Sequence, residues 1–460
     1  MEISLRHYQR ENVNTLRYFY SKKISSLLYV LPTGGGKTFV FCHIAREAIK
    51  KKNRVLILVH RQELIDQTCN SLKALGLGFG IIARGHETDY EKYIQICSVQ
   101  TLVRRINVLP NNYCQLLIVD EAHHAVAGSW DKIISTFSEA KVLGVTATPE
   151  RCDGKGLKSK FQEMIIGPQM AELQQQEYLA PYRVFAPPEQ IDLSLLKKRA
   201  GDYAREDVDK QVTTQHFIGD AIKHYKKYLY NQTAIAFCSS VRHAQIVADT
   251  FNENNIPAVS LDGKTPPHER RLILKKLEKS QIKIVTSCEI ISEGTDIPSV
   301  GGCLLLRPTL SLSVYLQQVG RCLRPQKNKT AIILDHVGNV KKHGLPNEVR
   351  EWSLEGAKKR TQNKTDAISV KVCPVCFSAL MSITKQCECG HVFRAKDQKR
   401  ITIDTDLEEI KAVKKEEKKE VGRARTLAEL LAVADRRGYN RKWAYHILKA
   451  REPRNRGLNY

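Results

Sequence analysis

The chain has 460 residues, 42% of them hydrophobic and 27% charged. That globular composition excludes a disordered or fibrous chain and leaves room for roughly two to four domains. Lysine and arginine number 73 against 49 aspartate and glutamate, a formal charge of +24, which favours a polyanionic partner. The longest apolar runs, at 55–59 and 116–119, are far too short to cross a bilayer, so nucleic acid is expected rather than a membrane. No basic segment followed by an apolar core opens the chain, and its thirteen cysteines are an odd number, mostly scattered singly. Both features point to a reducing, cytoplasmic setting without a disulfide framework.

In chain order, strand-like runs at 26–31, 54–60, 94–98, 116–120 and 141–146 alternate with helical patterns such as 39–50 and 62–74. That alternation predicts a mostly parallel sheet covered on both faces. The first run leads straight into Thr33, Gly34, Gly35, Gly36, Lys37 and Thr38, with a helix expected just beyond. A glycine-rich turn between strand and helix lets backbone N–H groups close round a phosphate chain, and the helix N-terminus adds a favourable partial charge. Lys37 is placed to reach the outer phosphates and the Thr38 hydroxyl to help hold Mg²⁺. The strict pattern wants a glycine where this chain has Leu31.

The run at 116–119 ends in Asp120, Glu121, Ala122 and His123. Two carboxylates then stand at the C-terminal end of a buried strand, where parallel sheets bind ligands. Asp120 suits Mg²⁺, and Glu121 suits the attacking water. An isolated acidic pair is commonly just a solvated strand end, but in one block with Gly36, Lys37 and Thr38 it predicts ATP hydrolysis. After a polar, irregular stretch around 180–214, strand-like runs resume at 233–237, 258–261, 282–286, 302–306 and 331–334. A second α/β domain is expected there, with the first spanning 1–185 and the second 186–345.

Over roughly residues 5–340 these motifs, in this order, resemble the superfamily-two helicases and translocases of the DEAD/DEAH type. The resemblance implies two tandem RecA-like domains. Leu5, Arg6, His7, Tyr8 and Gln9 resemble the family's Q motif, which implies adenine recognition by Gln9 with Arg6 beside it. Thr33 to Thr38 resemble motif I and Asp120 to His123 motif II. Thr146, Ala147, Thr148 and Pro149 resemble motif III, which implies that Thr146, Thr148 and His123 couple nucleotide state to domain closure. Gly294 and Asp296, within Glu293 to Pro298, resemble motif V at the nucleotide. Gln317, Gln318, Val319, Gly320, Arg321, Cys322, Leu323 and Arg324 resemble motif VI, which implies catalytic roles for Gln317 and for Arg321 and Arg324 as arginine fingers. An arginine delivered across a domain gap stabilises charge developing on the γ-phosphate and makes hydrolysis conditional on closure.

By position, the resemblance also places His60, Arg61, Thr101, Ser239, Ser240 and Thr286 along a nucleic-acid track. Hydroxyls and loop N–H groups suit a backbone read without sequence preference, although a Ser or Thr is as readily a helix cap. The stretch from Pro149 to Gly156 and Leu179, Ala180 and Pro181 are similar to RadD-like repair helicases and to restriction-system motors. The expected function is an ATP-dependent DNA helicase or translocase acting in repair, recombination or phage and defence DNA processing. The alternatives are a duplex translocase that separates no strands, an RNA helicase, and a nucleotide-gated nucleic-acid binder.

Beyond the motor, residues 346–400 read as a linker with a cysteine cluster. Cys373 and Cys376 form a two-residue knuckle, and Cys387 and Cys389 follow. Four thiolates at that density suit a structural Zn²⁺ in a ribbon too small to fold alone. The second knuckle has only one residue between its cysteines, which leaves His391 as a substitute ligand. Residues 401–420 mix both charges densely and read as a linker. The tail, 421–460, has ten Lys or Arg against three Asp or Glu, with Tyr439, Trp443, Tyr445 and Tyr460 interleaved. A helix pair turning at Gly438 is expected there. It is suited either to DNA contact or to docking a single-strand-binding or other repair protein.

Overall fold

The computed structural model describes residues 4–150, 156–186, 196–199, 202–288, 300–356, 370–393 and 426–436. Gly294 and Asp296, the 401–420 linker and the tail aromatics lie outside the described residues. Two parallel sheets dominate. The first is built from β1 (Ser26–Val30), β2 (Val55–Val59), β3 (Gly80–Ile82), β4 (Ile94–Ser98), β5 (Leu116–Asp120), β6 (Lys141–Thr146) and β7 (Glu163–Ile166). Its order is β3-β4-β2-β5-β6-β1-β7. Leu27 and Tyr29 of β1 enter one buried cluster, while Leu28 and Val30 enter the cluster on the opposite face. Period-two alternation between two buried faces explains why these strands read as unbroken apolar runs.

The second sheet takes β8 (Tyr182–Phe185), β11 (Ala234–Phe237), β12 (Ala258–Leu261), β13 (Ile284–Ser287), β14 (Gly302–Leu305) and β15 (Ala331–Asp335). Their order is β12-β13-β11-β14-β15-β8, parallel throughout. A small antiparallel pair, β9 (Lys198–Arg199) with β10 (Asp202–Tyr203), precedes it. Two parallel-sheet α/β domains are the architecture expected from the sequence.

The expected boundary at 185/186 needs correcting. β8 pairs with β15 in the second sheet, so residues 182–185 belong with the second domain. The stretch around 180–214, read as irregular, also holds the helix Arg205–Val212. β8 is an outer strand, exposed at Arg183, and lacks the continuous apolar run that marks a central strand. The same reasoning covers the missed edge strand β7, which is exposed at Glu163 and Ile166.

The cysteine cluster lies around β16 (Val370–Val372) and β17 (Ala379–Met381), an antiparallel pair. It seats on the outer edge of β8. Phe185 bridges Ser378, the Ala186 N–H donates to the Phe377 carbonyl at 3.0 Å, and the Tyr228 hydroxyl donates to the Cys376 carbonyl. In the C-terminal unit the helix Leu427–Arg436 is present and buries Leu430 and Val433. Trp443, Ile447 and Leu448, expected on its partner helix, lie outside the described residues. Among the described residues, twelve cysteines are free thiols, and no helix is long and apolar enough to cross a membrane.

Candidate active site

The phosphate loop leaves β1 at Leu31. Its turn requires glycine at two places, because Gly34 and Gly36 adopt φ of +85° and +86°, where a side chain is strained. Gly36 caps the helix Lys37–Lys50, so that helix points its N-terminus into the loop. The Q-motif residues hold the loop from behind. Buried Gln9 accepts from the Arg6 N–H at 3.0 Å and donates to the Gly35 carbonyl at 3.1 Å, which also accepts from the Tyr8 hydroxyl at 2.7 Å. The Arg6 guanidinium lies over the Tyr178 ring, 4.3 Å from its centroid. Tyr8 was read only as part of the Q motif, with no role of its own, and Tyr178, which sequence reasoning missed, lies some 170 residues from the motif it completes.

β6 separates β1 from β5, so Asp120 stands two strand spacings, roughly 10 Å, from the end of β1. Both acids are buried, and Glu121 takes a left-handed backbone (φ +49°) that turns the chain out of β5. Enclosure by protein lowers the pKa of Lys37 below that of an ordinary lysine. The charges of Glu121 and Asp120 oppose that shift, and Arg321 adds to it. Arg321, a residue of the second domain, therefore acts electrostatically on the phosphate loop.

Motifs II and III are joined directly. His123 Nδ1 lies 3.4 Å from Glu121 and 3.2 Å from the Thr146 hydroxyl, which donates to the Thr148 carbonyl at 2.9 Å. The chain continues across the domain gap, where the Thr148 hydroxyl donates to Ser313 Oγ at 2.6 Å. Ser313 opens the helix Leu312–Gly320, which buries Gln317 and ends against the phosphate loop. A Cβ at Gly320 would lie 2.6 Å from Thr33 Cβ. Arg321 follows immediately and is buried. Arg324 is half-buried, and that burial lowers its pKa; its carbonyl accepts from the Lys329 ammonium. A second cross-domain tie, the ion pair of Glu63 with Arg270, lies at the β2 and β12 ends of the sheets.

The expected nucleic-acid residues divide. His60, Arg61 and Thr101 share one edge. Arg61 Nε donates to the His60 ring, His60 packs on His124, and Gln100, next to Thr101, donates to the His60 carbonyl. Of the other three, Ser239 and Thr286 are built into the second domain's interior, and Ser240 is half-buried at a helix start. Thr286 is fully buried in β13 and donates to the Ala244 carbonyl at 2.7 Å. Ser240 caps the helix Val241–Glu253 by accepting from the His243 N–H. Ser239 is buried between Asp209 and His243, whose burial takes its pKa down to about 4. For Thr286 the track assignment is therefore corrected, since the hydroxyl is enclosed and engaged.

The four cysteines of the expected ribbon come together. The Sγ atoms of Cys373, Cys376, Cys387 and Cys389 lie within 4.8 Å of one another. Cys373 to Cys389 is 3.6 Å and Cys376 to Cys387 is 3.5 Å, too long for disulfides at about 2.05 Å. Four sulfurs at about 2.3 Å from a tetrahedral metal stand about 3.8 Å apart, so the group fits one. His391 offers its backbone carbonyl to the Cys387 N–H and is not one of the four clustered donors.

With this geometry in place, comparison with known proteins is decisive. Residues 2–151 match the family "Type III restriction enzyme, res subunit", and residues 218–326 match "Helicase conserved C-terminal domain". The chain belongs to the superfamily-two helicases of restriction-motor type. A 51.5 kDa protein of a Lactococcus phage is 36% identical, over 83% of this chain and 82% of its own length. The DNA 3'-5' translocase XPB2 of Sulfurisphaera tokodaii is 26% identical, over 73% and 82% respectively. The chain spans 51% of the length of a Saccharomyces cerevisiae helicase that it also matches. Among solved structures, an HsdR-subunit fragment of a type I restriction enzyme from Vibrio vulnificus superposes with a TM-score of 0.60 at 20% identity, covering 74% of this chain and 66% of that one. As a member of this superfamily the chain is a nucleic-acid-dependent ATP hydrolase.

The reassigned hydroxyl gives the first prediction. Thr286→Val removes a second donor from the Ala244 carbonyl, which keeps its partner within the helix Val241–Glu253, and should cost about 0.5–1.5 kcal/mol in denaturant unfolding. Nucleic-acid affinity should stay unchanged; a weaker affinity at normal stability would restore Thr286 to the track.

Proposed function

We propose that this chain is an ATP- and Mg²⁺-driven motor that moves along DNA or separates its strands. The reading is carried by one observation: Gly320 of the second domain packs against Thr33 of the phosphate loop, which brings the buried Arg321 that follows it toward Lys37, Asp120 and Glu121. A site split in this way hydrolyses ATP only while the domains are closed, so closure by a bound strand can gate it. Thr38 and Asp120 would hold Mg²⁺, which neutralises charge on the phosphates when bound. Lys37 holds the phosphate chain, Glu121 orients the water with His123 beside it, and Arg321 and Arg324 meet the developing charge. Gln9 and Arg6 would take the adenine edge. DNA is favoured over RNA by the restriction-motor family and by the named activity of the archaeal relative. The +24 charge suits either polymer. We place its work in DNA repair, recombination or phage and defence processing, a reading supported by the phage relative and the restriction-enzyme family match. The twelve free thiols support a reducing, cytoplasmic setting.

A second reading, translocation on duplex without strand separation, is supported by the restriction-motor family itself. Displacement of a third strand from a triplex, without unwinding of a tailed duplex, would select it. We also assign the four-cysteine cluster to a structural Zn²⁺ that fixes the ribbon to the β8 edge.

Three predictions test these assignments. Lys37→Ala and Glu121→Gln should both abolish turnover, with Glu121→Gln still binding ATP. Arg321→Ala and Arg324→Ala should each lower DNA-stimulated hydrolysis by on the order of a thousandfold at unchanged ATP affinity. Near-normal hydrolysis in Glu121→Gln would remove the catalytic assignment, and a fully stimulated Arg321→Ala would remove the split site. For the ribbon, metal analysis should find about one zinc per chain, lost in the Cys373→Ser, Cys376→Ser double variant. A metal-free parent protein would end that assignment.

A further inference from the structure

After the helix Asn339–His343 the chain leaves the second domain and crosses back onto the first. Arg350 anchors this segment at its origin, donating to the His343 and Leu345 carbonyls at 3.3 and 3.1 Å. Asn347 bonds the Tyr182 hydroxyl at the start of β8. The same Arg350 is gripped from the other side. Its backbone N–H donates to Gln169 Oε1 at 2.9 Å, and Gln169 Nε2 donates to its carbonyl at 3.3 Å. Gln169 lies in the turn after β7, so one residue is held by both domains.

Farther on, Trp352 and Leu354 pack into the first domain's buried cluster beside Leu157 and Phe161. The Leu354 carbonyl accepts from the Leu157 and Lys158 N–H groups at 2.8 and 3.0 Å. Gly156 makes this seat possible, because a Cβ there would overlap the Leu354 carbonyl oxygen. The segment also walls a small cavity between the domains together with Thr33 of the phosphate loop, Ala147 of motif III and Leu316 of the motif VI helix.

We propose that residues 345–356 are a strap that positions the two halves of the active site. The contacts at Leu157 and Gln169 limit how far the domains separate. They thereby raise the fraction of molecules in which Gly320 and Arg321 stand at the phosphate loop. Trp352, Leu354 and Gln169 are positioning residues; none touches the reacting atoms. When only a fraction of molecules is competent, the apparent affinity for an activating ligand falls by that fraction. Loosening the strap therefore raises the DNA concentration needed for stimulation and leaves the saturated rate intact.

The inference rests on the motor reading for its kinetic consequence, so the test has two readouts. Gly156→Ala, which keeps the strap's own residues, and Trp352→Ala are compared with the parent chain, with melting temperature measured for each. In hydrolysis assays with oligo(dT), the half-stimulating concentration should rise about tenfold in both, with the rate at saturation within about twofold of the parent. Small-angle X-ray scattering of the ligand-free chains should give a larger radius of gyration for both variants. An unchanged radius of gyration overturns the strap whatever the kinetics. A lower saturated rate at an unchanged half-stimulating concentration also overturns it. A parent chain that no DNA stimulates is instead the failure of the motor reading, and scattering still decides the strap.

Discussion

The second domain's part in hydrolysis depends on one close approach, that of Gly320 to Thr33. Any side chain at 320 would meet the phosphate loop at less than van der Waals distance, so the helix Leu312–Gly320 comes this near only because its last residue has no Cβ. That approach brings the buried Arg321 into the field of Lys37, two cations in an enclosed space with Asp120 and Glu121 opposing them at the lysine. Like charges held together in low dielectric are costly. The arrangement is relieved by a polyanion between them, and a triphosphate is one. The Thr148–Ser313 bond ties motif III to the helix that precedes the arginine.

The remaining modules serve that assembly by managing sheet edges and domain spacing. β8 ends the second sheet, and an outer strand left open invites unwanted pairing. The cysteine ribbon covers it through Phe185, Ala186 and Tyr228. The ribbon therefore travels with the second domain. The strap at 345–356 does the opposite and fastens the second domain's end to the first.

Much of this was legible in the sequence where the physics is local. The central strands β2 and β5 are buried on both faces and read directly from apolar runs such as 116–119. The phosphate loop is a contiguous turn with Gly34 and Gly36 at positive φ, so its chemistry and its residues coincide. The ligand cysteines cluster because a ribbon of this size brings its own knuckles together. What was hidden depends on long-range contact. β7 and β8 are mixed-polarity edge strands and carry no continuous apolar signal. Tyr178 and Ser313 matter through partners far away in the chain. Thr286 and Ser240 matched the nucleic-acid motifs by position, yet a hydroxyl that bonds a buried carbonyl or caps a helix has the same sequence signature as one on a surface track. Motif V was legible, but Gly294 and Asp296 lie outside the described residues.

The central claim is that hydrolysis requires the Gly320–Thr33 approach, and Gly320→Ala tests it most directly. The added methyl must push the helix from the loop while touching neither ATP nor any catalytic group. A misplacement approaching 1 Å can cost about a hundredfold in rate. The measurement is DNA-stimulated ATP hydrolysis by Gly320→Ala, read beside ATP affinity and melting temperature. The account predicts a stimulated rate about a hundredfold lower, with affinity and stability near those of the parent. A Gly320→Ala chain that is stable, binds ATP and hydrolyses it at the full stimulated rate would contradict it.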